Sequence, residues 1–153
     1  LLLALCHAGS VGAEWAFSRE RLYFGGGVGS SRIPEQGEPV STVQLLAGYR
    51  LETPHRLDPS RFRSAVELGY LDTGDSSYDG GWATPVLSMR IDPHLDLLLR
   101  AGADFGVHPS LLGGLGISYT IERNMAVRLE YVKRSQTSTL QLNLVYAPWF
   151  FDW

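Results

Sequence analysis

The segment Leu111 to Ser135, LLGGLGISYTIERNMAVRLEYVKRS, decides how the rest of the chain is read. In its first half Leu111, Leu115, Ile117, Tyr119 and Ile121 share one parity, while Gly114, Gly116, Ser118 and Thr120 share the other. Side chains of a strand alternate between its two faces, so this is a strand with one apolar face and one small or polar face. After the polar turn Glu122-Arg123-Asn124 the alternation resumes, with Met125, Val127, Leu129 and Tyr131 against Ala126, Arg128 and Glu130. The pair is a β-hairpin of two strands of about ten residues each, the length that crosses a bilayer as a tilted strand. A lone hairpin is marginal in water, so the chain has to supply more strands.

Working outward, it does. Leu95, Leu97, Leu99, Ala101, Ala103 and Phe105 alternate with Asp96, Arg100, Gly102 and Asp104 just upstream, and Leu140, Leu142, Leu144 and Tyr146 alternate with Gln141 and Asn143 downstream. Further back the same period runs through Arg21 to Ser30, Thr42 to Leu51, Arg61 to Tyr70 and about Trp82 to Ile91. Pro85 sits awkwardly in the last of these, because a closed sheet has no free edge to tolerate a missing donor, and it is expected near a rim. Between the strands lie Ser31 to Ser41, Glu52 to Ser60, Asp72 to Gly81, Asp92 to His94, Gly106 to Pro109 and Lys133 to Ser138, rich in glycine, proline and polar residues. Eight strands result, and nothing after the N-terminal stretch reads as a helix.

Composition narrows the class. The 153 residues suffice for one domain, and a formal charge of −3 excludes a strongly basic nucleic-acid binder. No apolar run approaches the roughly 18 residues of a spanning helix. Lys133 is the only lysine among thirteen basic residues, the rest being arginine, which suits buried bidentate pairing with carboxylates. Residues 1–13 read as a signal peptide lacking its start, with Val11-Gly12-Ala13 as the cleavage site. Residues 14–19 would then be an N-terminal segment, 20–147 a barrel and 148–153 an aromatic tail in which Pro148 breaks the phase between Tyr146 and Trp153. Leu5 is too large for the lipoprotein signal that Cys6 would otherwise suggest, and the chain beyond residue 13 holds no cysteine.

Alternation alone does not say which face is inside, since a secreted soluble barrel reads the same way. Three features favour an inverted, transmembrane barrel. The polar parity is crowded with glycine at 25, 27, 29, 48, 69, 102, 114 and 116, as a tightly filled eight-strand interior requires. Aromatic residues at strand ends, Tyr49, Phe62, Tyr70, Trp82, Phe105, Tyr119, Tyr131 and Tyr146, form two interfacial girdles. The strand lengths match an apolar band about 25 Å tall. Closure follows from backbone chemistry, because an open edge in lipid would leave several groups unsatisfied at several kcal/mol each. An even strand count puts both termini on the periplasmic side.

The stretches GGLGISYTIERNMAVRLEY at 113–131, LDLLLRAG at 95–102 and VELGY at 66–70 resemble the OmpA-type and OmpX-type small outer-membrane barrels, most specifically in RLEY at 128–131. The resemblance implies an all-β, eight-stranded antiparallel up-and-down transmembrane barrel in the outer membrane of a Gram-negative bacterium. It further implies a structural role in the envelope and a charge-laced, occluded lumen. Outer-membrane lipid, lipopolysaccharide and the outer-membrane assembly machinery are the expected partners of a monomer without cofactors. The alternatives are a narrow ion or small-solute pore and a surface-binding module acting through the outer loops, which are short here.

The polar parity gathers Arg50, Arg61, Arg63, Glu67, Arg90, Asp96, Arg100, Asp104, Arg128 and Glu130 inside one narrow barrel. A buried charge left alone is costly, so these side chains are expected to pair into a network that plugs the lumen. An enzymatic reading rests on His108-Pro109-Ser110 followed by Glu122, the residue order of a barrel lipid A deacylase. The twelve extended residues from Ser110 to Glu122 span roughly 36–40 Å along a strand, too far for a proton relay, so no enzyme is expected. His55 and His94 fall in separate turns without ligand spacing, and no metal site is expected. Gly25 to Gly29 opens no helix and is not a phosphate loop. Lys133 and Arg134 are expected just beyond the outer girdle, within reach of lipopolysaccharide phosphates or simply solvated.

Overall fold

A computed structural model describes residues 18–33, 37–53, 56–135 and 137–148. The expectations for the signal segment 1–13, Cys6, His55 and the tail from Trp149 to Trp153 lie outside the described residues, as does most of the segment 14–19. A 3-10 turn at Arg19–Arg21 precedes β1 (Leu22–Arg32), β2 (Val40–Leu51), β3 (Phe62–Asp72), β4 (Gly80–Asp92), β5 (Leu95–Asp104), β6 (Ser110–Glu122), β7 (Met125–Arg134) and β8 (Ser138–Tyr146). Every strand pairs antiparallel with the next, and β1 pairs with β8 from Phe24↔Tyr146 to Arg32↔Ser138. The sheet is a closed eight-stranded barrel. One end, here the terminal end, carries the start of β1, the end of β8 and the β2–β3, β4–β5 and β6–β7 turns; the mouth carries the other four connections.

The barrel is apolar outside and polar inside. Leu45, Leu99 and Leu115 are about 60% exposed (65%, 58% and 60%), whereas Glu67, Glu130 and Arg100 are 0%, 1% and 3% exposed. Outward rows such as Leu97 and Leu99 on β5 and Leu140, Leu142 and Leu144 on β8 form a continuous belt. Tyr70, Phe105 and Tyr131 stand on that outer surface toward the mouth, and Tyr49, Phe62, Tyr119 and Tyr146 toward the terminal end.

Inside, large side chains lie over glycines of the neighbouring strand. Tyr23 on β1 covers Gly48 on β2, and Trp82 on β4 covers Gly69 on β3, so closely that a Cβ at either glycine would overlap the ring. Eight strands enclose so little volume that a bulky inward residue needs an empty place beside it. The interior is also less polar than charge and glycine alone suggest, since Leu46, Leu71, Val86, Leu98, Leu112, Val132 and Val145 are buried there.

Four expectations need correction. Trp82 is not in a girdle: it shares parity with Thr84, faces inward and is 2% exposed. Arg61 is not in the lumen, because β3 begins one residue later and Arg61 lies exposed in the β2–β3 turn, where its N–H donates to the Asp58 carbonyl (3.0 Å). Pro85 is not near a rim but in the middle of β4, opposite Val66 of β3. It is tolerated because the β4–β5 ladder skips there, running from Ala83↔Ala103 to Val86↔Arg100 with no change of register. Finally, β7 runs on through Lys133 and Arg134, which puts Lys133 on the outer surface and Arg134, 6% exposed, in the lumen.

Candidate functional site

The inward side chains fall into three layers along the barrel axis. At mid-height Glu67 on β3 accepts hydrogen bonds from the Tyr23 hydroxyl (2.6 Å) and Arg128 (2.5 Å) at Oε1 and from Arg100 (2.8 Å) at Oε2. Arg100 also reaches Glu130 Oε2 at 2.5 Å, and Glu130 Oε1 accepts from Asn143, whose Oδ1 accepts from Gln44, both at 3.3 Å. The two guanidinium groups stack over aromatic rings, Arg100 on Trp82 at 5.2 Å and Arg128 on Tyr23 at 5.3 Å. Two arginines and two glutamates are thus cross-linked through strands β3, β5 and β7, none of which neighbours another in the sheet. In a medium of low polarity such groups are stable only when paired and hydrogen-bonded, and here they are.

The mouth layer is smaller. Arg134 Nε donates to Asp104 Oδ2 at 2.7 Å, and its other arm donates to Thr139 Oγ1, which shares a 2.6 Å hydrogen bond with Ser31. At the terminal end Asp96 stands between Arg63 and Arg90 at 3.7 and 3.8 Å, and Arg50 faces the same space from β2. Of the ten charges expected to share the lumen, nine do so in these layers and Arg61 does not. Sequence reading missed Tyr23 and Trp82 as the platforms for the arginines, and Arg134 as a member. The signal for Trp82 was available, because it lies two residues from Thr84 on one parity.

No family model matches the chain, and no curated protein matches it. Solved structures do. The chain is 20% identical to the de novo designed barrel TMB2.3, over 84% of this chain and 94% of that one, with a TM-score of 0.62. It is 11% identical to the outer membrane enzyme PagL (81% and 98% covered, TM-score 0.61). It is 16% identical to Ail, the attachment invasion locus protein of Yersinia pestis, solved with the heparin analogue sucrose octasulfate (82% and 96% covered, TM-score 0.53). The fold is that of the small outer-membrane barrels.

At these identities the likeness shows the fold alone and brings no chemistry to this chain with it. His108 and Ser110 line one shallow pocket at the mouth with Asp104 and Arg134. Glu122 closes β6 twelve residues from Ser110, at the terminal end, so the three side chains do not converge. His94 packs against Tyr119, ring centroids 6.1 Å apart, in the β4–β5 turn. Among the described residues no three His, Cys, Asp or Glu side chains are grouped as metal ligands.

Proposed function

We propose that this chain is an integral protein of the bacterial outer membrane whose role is structural, in envelope integrity, with its lumen closed by the mid-height ionic layer. It is non-enzymatic and monomeric, is inserted by the outer-membrane assembly machinery, and contacts lipid and lipopolysaccharide. The terminal end faces the periplasm, and the four mouth connections face outward. The observation that carries this reading is the inverted distribution: exposed leucine and valine rows girdle the barrel while charges are buried within. In water such a belt would aggregate, and in a bilayer it replaces lipid–lipid contact.

The test is gel mobility of the chain refolded in detergent. A closed transmembrane barrel stays compact in cold dodecyl sulfate and shifts after boiling. One mobility before and after boiling, together with a monomer soluble without detergent, would overturn the membrane assignment.

A further inference from the structure

Beside the mid-height ionic layer a set of polar atoms has no hydrogen-bond partner among the described residues. They are Gln44 Oε1 on β2, the Trp82 indole N–H and Thr84 Oγ1 on β4, Arg100 Nε on β5, and both ends of the Gln141 amide on β8. All of these residues are buried, none being more than 3% exposed. Each abuts the layer. Gln141 pairs in register with Glu130 and Thr84 with Glu67, the Trp82 ring centroid lies 5.2 Å from Arg100 Cζ, and Gln44 donates to Asn143, which donates to Glu130. Gln141 stands one inward step nearer the mouth than Asn143, and Trp82 one step nearer than Thr84. The inward neighbour of Gln141 on β1 is Gly29, which puts no side chain into the lumen.

We propose that the lumen on the mouth side of the ionic layer is a binding site for ordered water, with the Gln141 amide as its principal ligand. A buried polar atom without a partner is destabilising, and protein interiors satisfy such atoms with bound water where several of them converge. The mixture of groups selects the occupant. Two amide oxygens disfavour an anion, the guanidinium and indole N–H groups disfavour a cation, and together they require a small neutral molecule that both donates and accepts. Water between Gln141 and its neighbours ties β8 to the arginines and extends the plug toward the mouth by a hydrated layer. The site rests on the closed interior alone and is independent of the barrel's role in the envelope.

The test is magnetic resonance of the refolded full chain in deuterated zwitterionic micelles. Water is expected to give cross-relaxation peaks, with the sign of a molecule that tumbles with the protein, to the Gln141 amide protons and the Trp82 indole proton. Thr84→Val is expected to leave both peaks in place, which separates bound water from relay through that hydroxyl. Absence of either peak, its loss in Thr84→Val, or peaks from detergent in place of water overturns the proposal. The second readout is oxygen-17 relaxation dispersion of the solvent, whose amplitude counts long-lived waters. Gln141→Leu should lower that amplitude by at least one water per chain, and the outward Lys133→Gln should leave it unchanged. An equal amplitude in folded Gln141→Leu overturns the proposal; if that variant does not fold, the peaks of the unaltered chain and of Thr84→Val decide.

Discussion

Glu67 carries no exposed surface and takes three donors from three other strands, β1, β5 and β7, so its removal leaves Arg128 without its carboxylate and Arg100 with Glu130 alone. Glu67→Gln keeps the shape and deletes the charge. Breaking one partner of a buried ion pair costs about 3–5 kcal/mol, and urea unfolding in micelles should lose that much. A loss under about 1 kcal/mol would mean that water, not Glu67, solvates the arginines. Sequence reading identified Glu67 as inward but not as the hub. Its partners are 33, 44 and 61 residues away on strands that do not adjoin β3, and which inward side chains meet across a barrel depends on its closure and stagger. Trp82 misled for a different reason: an aromatic near a strand end matches an interfacial girdle by type, and only its parity shows that it turns inward.

Two strand features make separate predictions. At β4, Pro85 offers no N–H, and the β4–β5 ladder is interrupted beside it. Pro85→Val supplies a donor and a β-favouring side chain on an exposed outward position, so stability in the same unfolding assay should rise by about 0.5–1.5 kcal/mol. No gain would place the missing bond on the β3 side. Between β3 and β4, Trp82 occupies the space over Gly69, so Gly69→Ala should destabilise the barrel by about 1–3 kcal/mol, and Trp82→Leu in the same chain should recover part of that loss. Additive losses would deny the contact. Turns obey local chemistry instead. In the β2–β3 turn the Ser60 hydroxyl (2.7 Å) and backbone N–H (2.9 Å) donate to Asp58, and the hydroxyl chiefly holds this carboxyl below the usual carboxylate range. A lowered folded value means that the turn's stabilisation is full above the ordinary Asp range and is lost as pH falls through the lowered value. Ser60→Ala should therefore return the Asp58 carboxyl carbon titration toward its ordinary midpoint. The element boundaries were the least legible part of the sequence, because parity continues smoothly into the turns. That is why Arg61 was placed inside and Arg134 outside.

For the whole barrel, the face of every strand follows from alternation once oil is assigned to the leucine rows, and closure follows from the absence of any tolerable edge in lipid. Whether the closed barrel conducts depends instead on how the mid-height layer is wired. Among the described residues Arg100 alone touches both Glu67 and Glu130, while Arg128 is held by Glu67. Glu130→Ala leaves Glu67 gripping both arginines, and the lumen should stay shut. Arg100→Ala removes the side chain that joins Glu67 to Glu130 and frees Glu130 from its cation, so a polar path past Gly114 and Gly116 opens between the terminal-end layer and the mouth. In planar bilayers the unaltered protein and Glu130→Ala should show no unitary current, and Arg100→Ala should show small discrete steps. Steps from the unaltered protein would replace the plug with a pore. Silence from Arg100→Ala would put the closure in the buried apolar residues Leu98, Val86 and Leu71 rather than in the ion pairs.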